Sequence, residues 1–96
     1  MTPRLVPEAV VRALRDLEGW TFAHDALQKM FLLRDFDHAI AFVNRVADAA
    51  RQADHHPDIA LSWNEVTIRS WSHDVGGVSE RDVALARTLD ALATLE

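Results

Sequence analysis

The sequence predicts an α+β fold: one two-layer domain in the order α-β-β-α-β-β-α, a four-stranded antiparallel sheet with helices packed on one face. Three observations predict it. Apolar residues recur at helical spacing near the start, in the middle and at the end of the chain. Between those stretches lie two segments whose apolar residues alternate with period two. Each segment is interrupted by a short turn signal, as a hairpin requires. With 96 residues, 49% of them hydrophobic, the chain has room for one core, so residues 1–96 form a single domain.

Pro7 suits a first helical turn, Val10, Leu14 and Leu17 follow at helical spacing, and Gly19 permits a left-handed stop, which predicts a helix over 7–17. Trp20, Phe22 and His24 then alternate with their neighbours. Asp25-Ala26 provides a turn, and a second strand runs from Leu27 to Phe36. On that strand Met30, Leu32 and Phe36 share one face while Leu27, Phe31 and Leu33 share the other. A strand apolar on both faces predicts burial on both, and in so small a protein a partner subunit would have to cover one.

Asp35 or Asp37 can cap a second helix running to about Ala53, whose polar Asn44, Arg45, Asp48, Arg51 and Gln52 leave a broad apolar face for packing. Pro57 keeps the residue before it out of helical geometry, so His55 and His56 fall in a loop or at a strand entrance. Ile59, Leu61 and Trp63 alternate, Asn64 marks a tight turn, and Val66 and Ile68 resume the alternation in a fourth strand. If Val66 and Ile68 face the core, Thr67, Arg69, Trp71 and His73 face away from it. Gly76-Gly77 allows a reversal, and Ser79 opens a last helix with Leu85, Leu89 and Leu92 along one side.

Ten Lys and Arg against fifteen Asp and Glu give a net charge of −5, a field that repels phosphate backbones and anionic membranes. Nucleic acid and membrane are therefore not expected partners. There is no cysteine, hence no disulfide framework, thiolate nucleophile or thiolate metal site. The N-terminal segment lacks the apolar core of a secretory signal and no apolar run approaches spanning length, so a cytoplasmic location is expected.

Three of the five histidines, His55, His56 and His73, fall within nineteen residues, near several carboxylates. Histidine gives and takes protons near neutrality, so the cluster suits proton transfer. Other readings compete. The His55-His56 doublet alone could be ordinary surface loop. Three imidazoles and a water can also hold zinc, but adjacent residues on extended backbone project to opposite sides and no HxH or HxxxH spacing is present, which argues against a metal. Ser79-x-x-Asp82 is explained as a helix cap, though a carboxylate fixed there can also orient an imidazole and hold one tautomer. Trp63 and Trp71 fit core or interface, and Trp71, sharing a face with His73, is the better platform for a flat heterocycle. His24 and His38 read as surface residues.

Asp54-His55-His56-Pro57-Asp58, then Trp63-Asn64, Ser72-His73 and Gly77-Val78-Ser79-Glu80-Arg81-Asp82 together resemble the signature of the pterin-4a-carbinolamine dehydratases, and the likeness runs from Trp20 to the last helix. The resemblance implies a hydro-lyase that dehydrates a 4a-hydroxytetrahydropterin to the quinonoid dihydropterin, in tetrahydrobiopterin recycling after an aromatic amino-acid hydroxylase. It implies His55 and His73 as the acid and base, His56 as a substrate-positioning histidine and Asp82 as the nearby carboxylate. Asp54, a candidate for orienting His55, joins Pro57, Trp71 and Ser72 in the expected substrate-binding set. No metal or cofactor is needed. One departure stands out: Arg51 occupies a position, four before His55, where the family commonly carries an acid. A homodimer or homotetramer is implied as well. The alternative reading is a non-catalytic dimerisation or assembly factor of the same fold.

Overall fold

The computed structural model describes residues 2–95. Its elements are α1 (Pro7–Leu14), β1 (Thr21–Ala23), β2 (Ala26–Leu32), α2 (Phe36–Ala53), β3 (Asp58–Ser62), β4 (Glu65–Ser70) and α3 (Glu80–Ala93). The expected order is the observed one. The strands form one antiparallel sheet in the spatial order β1-β2-β4-β3, so the second hairpin is inserted with β4 against β2 and β3 at an edge.

Local chemistry sets the boundaries. Helix α1 ends at Leu14, short of the expected Leu17, because the next residues close single turns instead: Leu17 N–H donates to the Leu14 carbonyl at 3.1 Å and Trp20 N–H to Leu17 at 3.1 Å. The first hairpin turns on His24 and Asp25, both at positive φ, as a two-residue turn matched to strand twist demands. The turn thus sits one residue earlier than the Asp25-Ala26 expected. Strand β2 stops at Leu32, and Phe36 belongs to α2 rather than to the strand. The reason is Asp35: its carboxylate accepts the His38 amide at 2.8 Å and starts the helix there.

The His38 amide, and its imidazole at 2.7 Å, hold the Asp35 carboxyl below the ordinary value of 3.8, against a smaller opposing effect of burial. Because the folded value is the lowered one, this cap stabilises the fold above that ordinary value and the contribution fades as the pH falls toward the lowered value. Asp35→Ala is therefore expected to reduce the melting temperature at pH 7, with the gap from wild type narrowing below about pH 4. A gap that stays constant down to about pH 2 would show that the carboxylate charge is not what the cap uses.

Phe42 and Val46 of α2 and Leu85, Ala86 and Leu89 of α3 are buried against the inward sheet residues Leu27, Phe31, Val66 and Ile68. Phe31 sits between Trp20 and Phe42, with ring centroids 5.9 Å and 4.9 Å away. Lys29 shares the inward parity, yet its stem reaches the rim, where the ammonium meets Asp90 and the Glu18 carbonyl, each at 2.9 Å. The opposite sheet face is open in this chain. Met30 is 54% and Leu32 68% exposed there, so the two-sided burial expected for β2 is not met within the chain. Strand β4 ends at Ser70; Trp71 lies just beyond it, and His73 lies in the turn closed by the Ser72–Gly77 bridge, so neither is on a continuing strand.

Candidate active site

The site forms where the end of α2, the turn after β4 and the first turn of α3 meet. Asp54 takes a left-handed conformation, φ 50° and ψ 44°, and stops α2. His55 N–H then donates back to the Ala50 carbonyl at 3.0 Å, which fixes the backbone from which the imidazole projects. On the other side Ser79 begins α3 with a capping box, and Asp82 accepts the Ser79 amide at 2.9 Å. A cap that the sequence explains structurally thus also holds a carboxylate in the interior. Asp82 is completely buried.

Four donors converge on that carboxylate. Oδ1 takes His55 Nε2 at 2.5 Å and Ser70 Oγ at 2.5 Å; Oδ2 takes Ser72 Oγ at 2.8 Å and the Ser79 amide. A carboxylate surrounded by donors is an acceptor only, so the imidazole proton belongs on Nε2 and the lone pair of the neutral ring on Nδ1. His55 is oriented by Asp82, not by the neighbouring Asp54. No described contact joins Asp54 to the His55 ring, and Asp54 stands exposed at the rim.

A cleft of about 360 Å³ opens over this pair, lined by Asp54, His55, His56, Trp71, His73, Asp74 and Arg81. The structure therefore brings together His55, His56, His73, Asp54 and Trp71. Asp82 lies behind the wall and meets the cleft through His55. Ser72, expected on the substrate-binding side, turns inward with 1% exposure, its hydroxyl committed to Asp82 and to Ser79 Oγ at 2.6 Å. Pro57 stays outside the lining and acts on the local backbone, leading from His56 into β3.

His73 is held by stacking: its ring lies 3.9 Å from that of Trp71, with 27° between the planes. That stack takes up one face of the indole, the group expected to receive a flat heterocycle, and the Arg69 guanidinium lies 5.8 Å from the Trp71 ring centroid. At the cleft edge Arg81 bonds Asp74 at 2.5 Å and holds its carboxyl below the ordinary range, burial opposing. Asp74 is thus an ionised anchor for Arg81 rather than a proton donor near neutrality. Arg51 pairs with Asp48 at 2.6 Å on the exposed face of α2 and takes no part in the cleft lining. Among the described residues no group of three or more His, Cys, Asp or Glu side chains could hold a metal ion. No helix among them is long and apolar enough to cross a membrane.

Ser70, Asp74 and Arg81 are members of this constellation that sequence reasoning did not single out. Ser70 carried a signal: it continues the inward parity of Val66 and Ile68, and a hydroxyl at a core position needs a partner.

A sequence profile of the family described as pterin 4 alpha carbinolamine dehydratase matches residues 3–92. The chain belongs to that family. It is 44% identical over 95 residues to a protein of Thermosynechococcus vestitus provisionally named pterin-4-alpha-carbinolamine dehydratase, a match covering 99% of this chain and 100% of that one. A provisionally named dehydratase of Nocardia farcinica is likewise 44% identical over 92 residues, covering 96% and 97% of the two chains. Among solved structures, a transcriptional coactivator/pterin dehydratase from Brucella melitensis superposes with a TM-score of 0.91 at 34% identity, over 94% of this chain and 98% of that one. A pterin dehydratase-like protein described as a RuBisCO assembly factor in the alpha-carboxysome reaches a TM-score of 0.64 at 25% identity, over 77% and 86%.

Proposed function

We propose that this member of the pterin 4 alpha carbinolamine dehydratase family is an active hydro-lyase that dehydrates a 4a-hydroxytetrahydropterin by histidine acid–base catalysis. The observation that carries this reading is the His55 Nε2–Asp82 contact of 2.5 Å on the floor of a cleft that also holds His56 and His73. A protein kept only for binding has no need of an imidazole whose tautomer is fixed by a buried carboxylate.

Dehydration breaks the C4a–O bond and removes the proton from N5, so that a C4a=N5 double bond forms and water departs. One group must take the N5 proton and another must supply one to the leaving hydroxyl. His55 is suited to take the proton, because Nδ1 can accept it while Asp82 stabilises the cation that results. His73, more exposed and braced on Trp71, is suited to supply one in its protonated form. His56 and the free carboxylate of Asp54 bound the same space and position the ring. After release of product, His55 returns its proton to solvent and His73 regains one, so the cycle closes with no net proton change. General acid–base catalysis contributes about 10²–10⁴-fold, and fixing the substrate between the two histidines adds to it. This chemistry fits tetrahydropterin recycling in the cytoplasm by an oligomer of identical chains.

The direct test is stopped-flow dehydration of 4a-hydroxytetrahydropterin by the wild-type protein. The expected result is a rate rising in proportion to protein concentration above the unaided reaction; a rate independent of protein would end the enzymatic reading. An assembly role is the second reading, favoured by the likeness to the RuBisCO assembly factor and by the open sheet face with Met30 and Leu32. Its sign would be affinity for a protein partner that survives replacement of both His55 and His73 by alanine.

A further inference from the structure

The two oxygens of Asp82 are not used alike. Oδ2 is bound by groups of the α3 cap and of the turn before it. Ser79 donates through its amide, and Ser72 through a hydroxyl that itself accepts from Ser79 Oγ, because the Ser72 proton is already committed to Asp82. Ser79 Oγ in turn accepts from the Arg81 amide at 3.2 Å and from Arg81 Nε at 3.3 Å, so every proton on this side points toward the carboxylate. Oδ1 is different. It faces His55, and the hydroxyl of Ser70 competes with the imidazole for the same atom at the same 2.5 Å.

Packing does not call for that hydroxyl. Ser70 is the last residue of β4, paired with Leu27, fully buried and in line with the inward Val66 and Ile68, where an apolar side chain would continue the core. Cap and carboxylate are also complete without it, since Oδ2 already has two donors.

We propose that Ser70 is a positioning residue that tunes His55 through Asp82. By sharing Oδ1, it weakens the pull of the carboxylate on the Nε2 proton and keeps that proton on the ring. Negative charge on an oxygen is divided among the donors it serves, so removing one donor strengthens the bond to the other. Without Ser70, Asp82 grips the imidazole harder, above all in its charged form, and the return of the proton taken at Nδ1 slows. The catalytic half of this inference rests on the dehydratase reading; the hydrogen-bond half does not.

The test compares wild type, Ser70→Ala and Ser70→Thr by NMR, with the His55 ring resonances assigned by their loss in His55→Ala, alongside steady-state dehydration kinetics. In Ser70→Ala the His55 Nε2 proton is expected to move downfield, kcat to fall about three- to tenfold and KM to stay within about twofold. Ser70→Thr, which keeps the hydroxyl, is expected to restore both the proton shift and kcat. A purely structural role for Ser70 would lower thermal stability without moving the proton signal. An Nε2 proton at the same position in Ser70→Ala as in wild type overturns the proposal. Should the alanine variant not fold, Ser70→Cys, whose thiol is a weaker donor, is read against wild type by the same criterion. Absence of dehydration by wild type would sink the dehydratase reading and the catalytic half with it, while the NMR comparison would still decide whether Ser70 tunes the His55–Asp82 bond.

Discussion

His55→Ala is expected to slow dehydration of a 4a-hydroxytetrahydropterin by about 10²–10⁴-fold while leaving the fold intact. The substitution removes the nitrogen that faces the cleft. It also leaves Asp82 with three donors, Ser70, Ser72 and the Ser79 amide, so the carboxylate remains satisfied and the α3 cap survives. Stability should change by far less than activity. His55→Gln, whose amide nitrogen reaches the position of Nε2 and can still donate to Asp82 but which cannot take a proton at the cleft, is expected to be as inactive as the alanine variant. A glutamine variant close to wild type in rate would show that His55 serves to fill space and hold Asp82, not to move protons.

Asp82→Ala is expected to be the most damaging single change for stability, at about 3–5 kcal/mol, read by denaturant unfolding. It strands the hydroxyls of Ser70 and Ser72, the Ser79 amide and the His55 ring N–H, all in or beside the interior, and each buried donor without an acceptor costs about 1–3 kcal/mol before relaxation. Activity should fall with it, because the His55 tautomer is no longer specified. Asp82→Asn separates the two effects. Its volume is unchanged, but the amide nitrogen meets donors at whichever oxygen position it takes, so the variant is expected to fold less stably and to lose most of its activity. If Asp82→Asn kept both stability and rate, the carboxylate would not be the orienting group.

Much of the fold was legible because it is written in local signals. The order of elements followed from periodicity and turn residues, and Ser79 with Asp82 announced the start of α3. Boundaries were less legible where two local signals compete. Leu33 and Phe36 carry the two-faced apolar pattern of β2 onward across Arg34 and Asp35, but the Asp35 side chain caps a helix there, and the cap prevails. Parity placed Trp71 and His73 on a strand face, whereas the strand stops at Ser70 and the Gly76-Gly77 turn takes over. The two rings still meet, through a stack that no spacing rule encodes.

Of the site, the sequence disclosed the three histidines, Asp54 and Asp82, and the possibility that Asp82 orients an imidazole, but not the Asp74–Arg81 pair at the cleft edge. It did not disclose which carboxylate serves His55. Asp54 is adjacent in sequence, but its left-handed backbone leaves it at the rim, while Asp82, twenty-seven positions away, makes the bond. Ser70 was hidden because a serine at a strand end is unremarkable until its parity is set against the buried face. Partner choice in a buried network is a property of three-dimensional closure, and only the inward parity of a polar residue hints at it beforehand.

The proposed acid–base dehydration requires His55 and His73 to act in one chemical step. Its most direct test is the dehydration rate of wild type, His55→Ala, His73→Ala and the double variant, measured by stopped flow under one condition. A large loss is expected for each single variant and little further loss for the double, since residues that work as a unit are not additive. Single variants as fast as wild type would contradict the shared step outright, and losses that simply multiply in the double variant would show that the two histidines act independently.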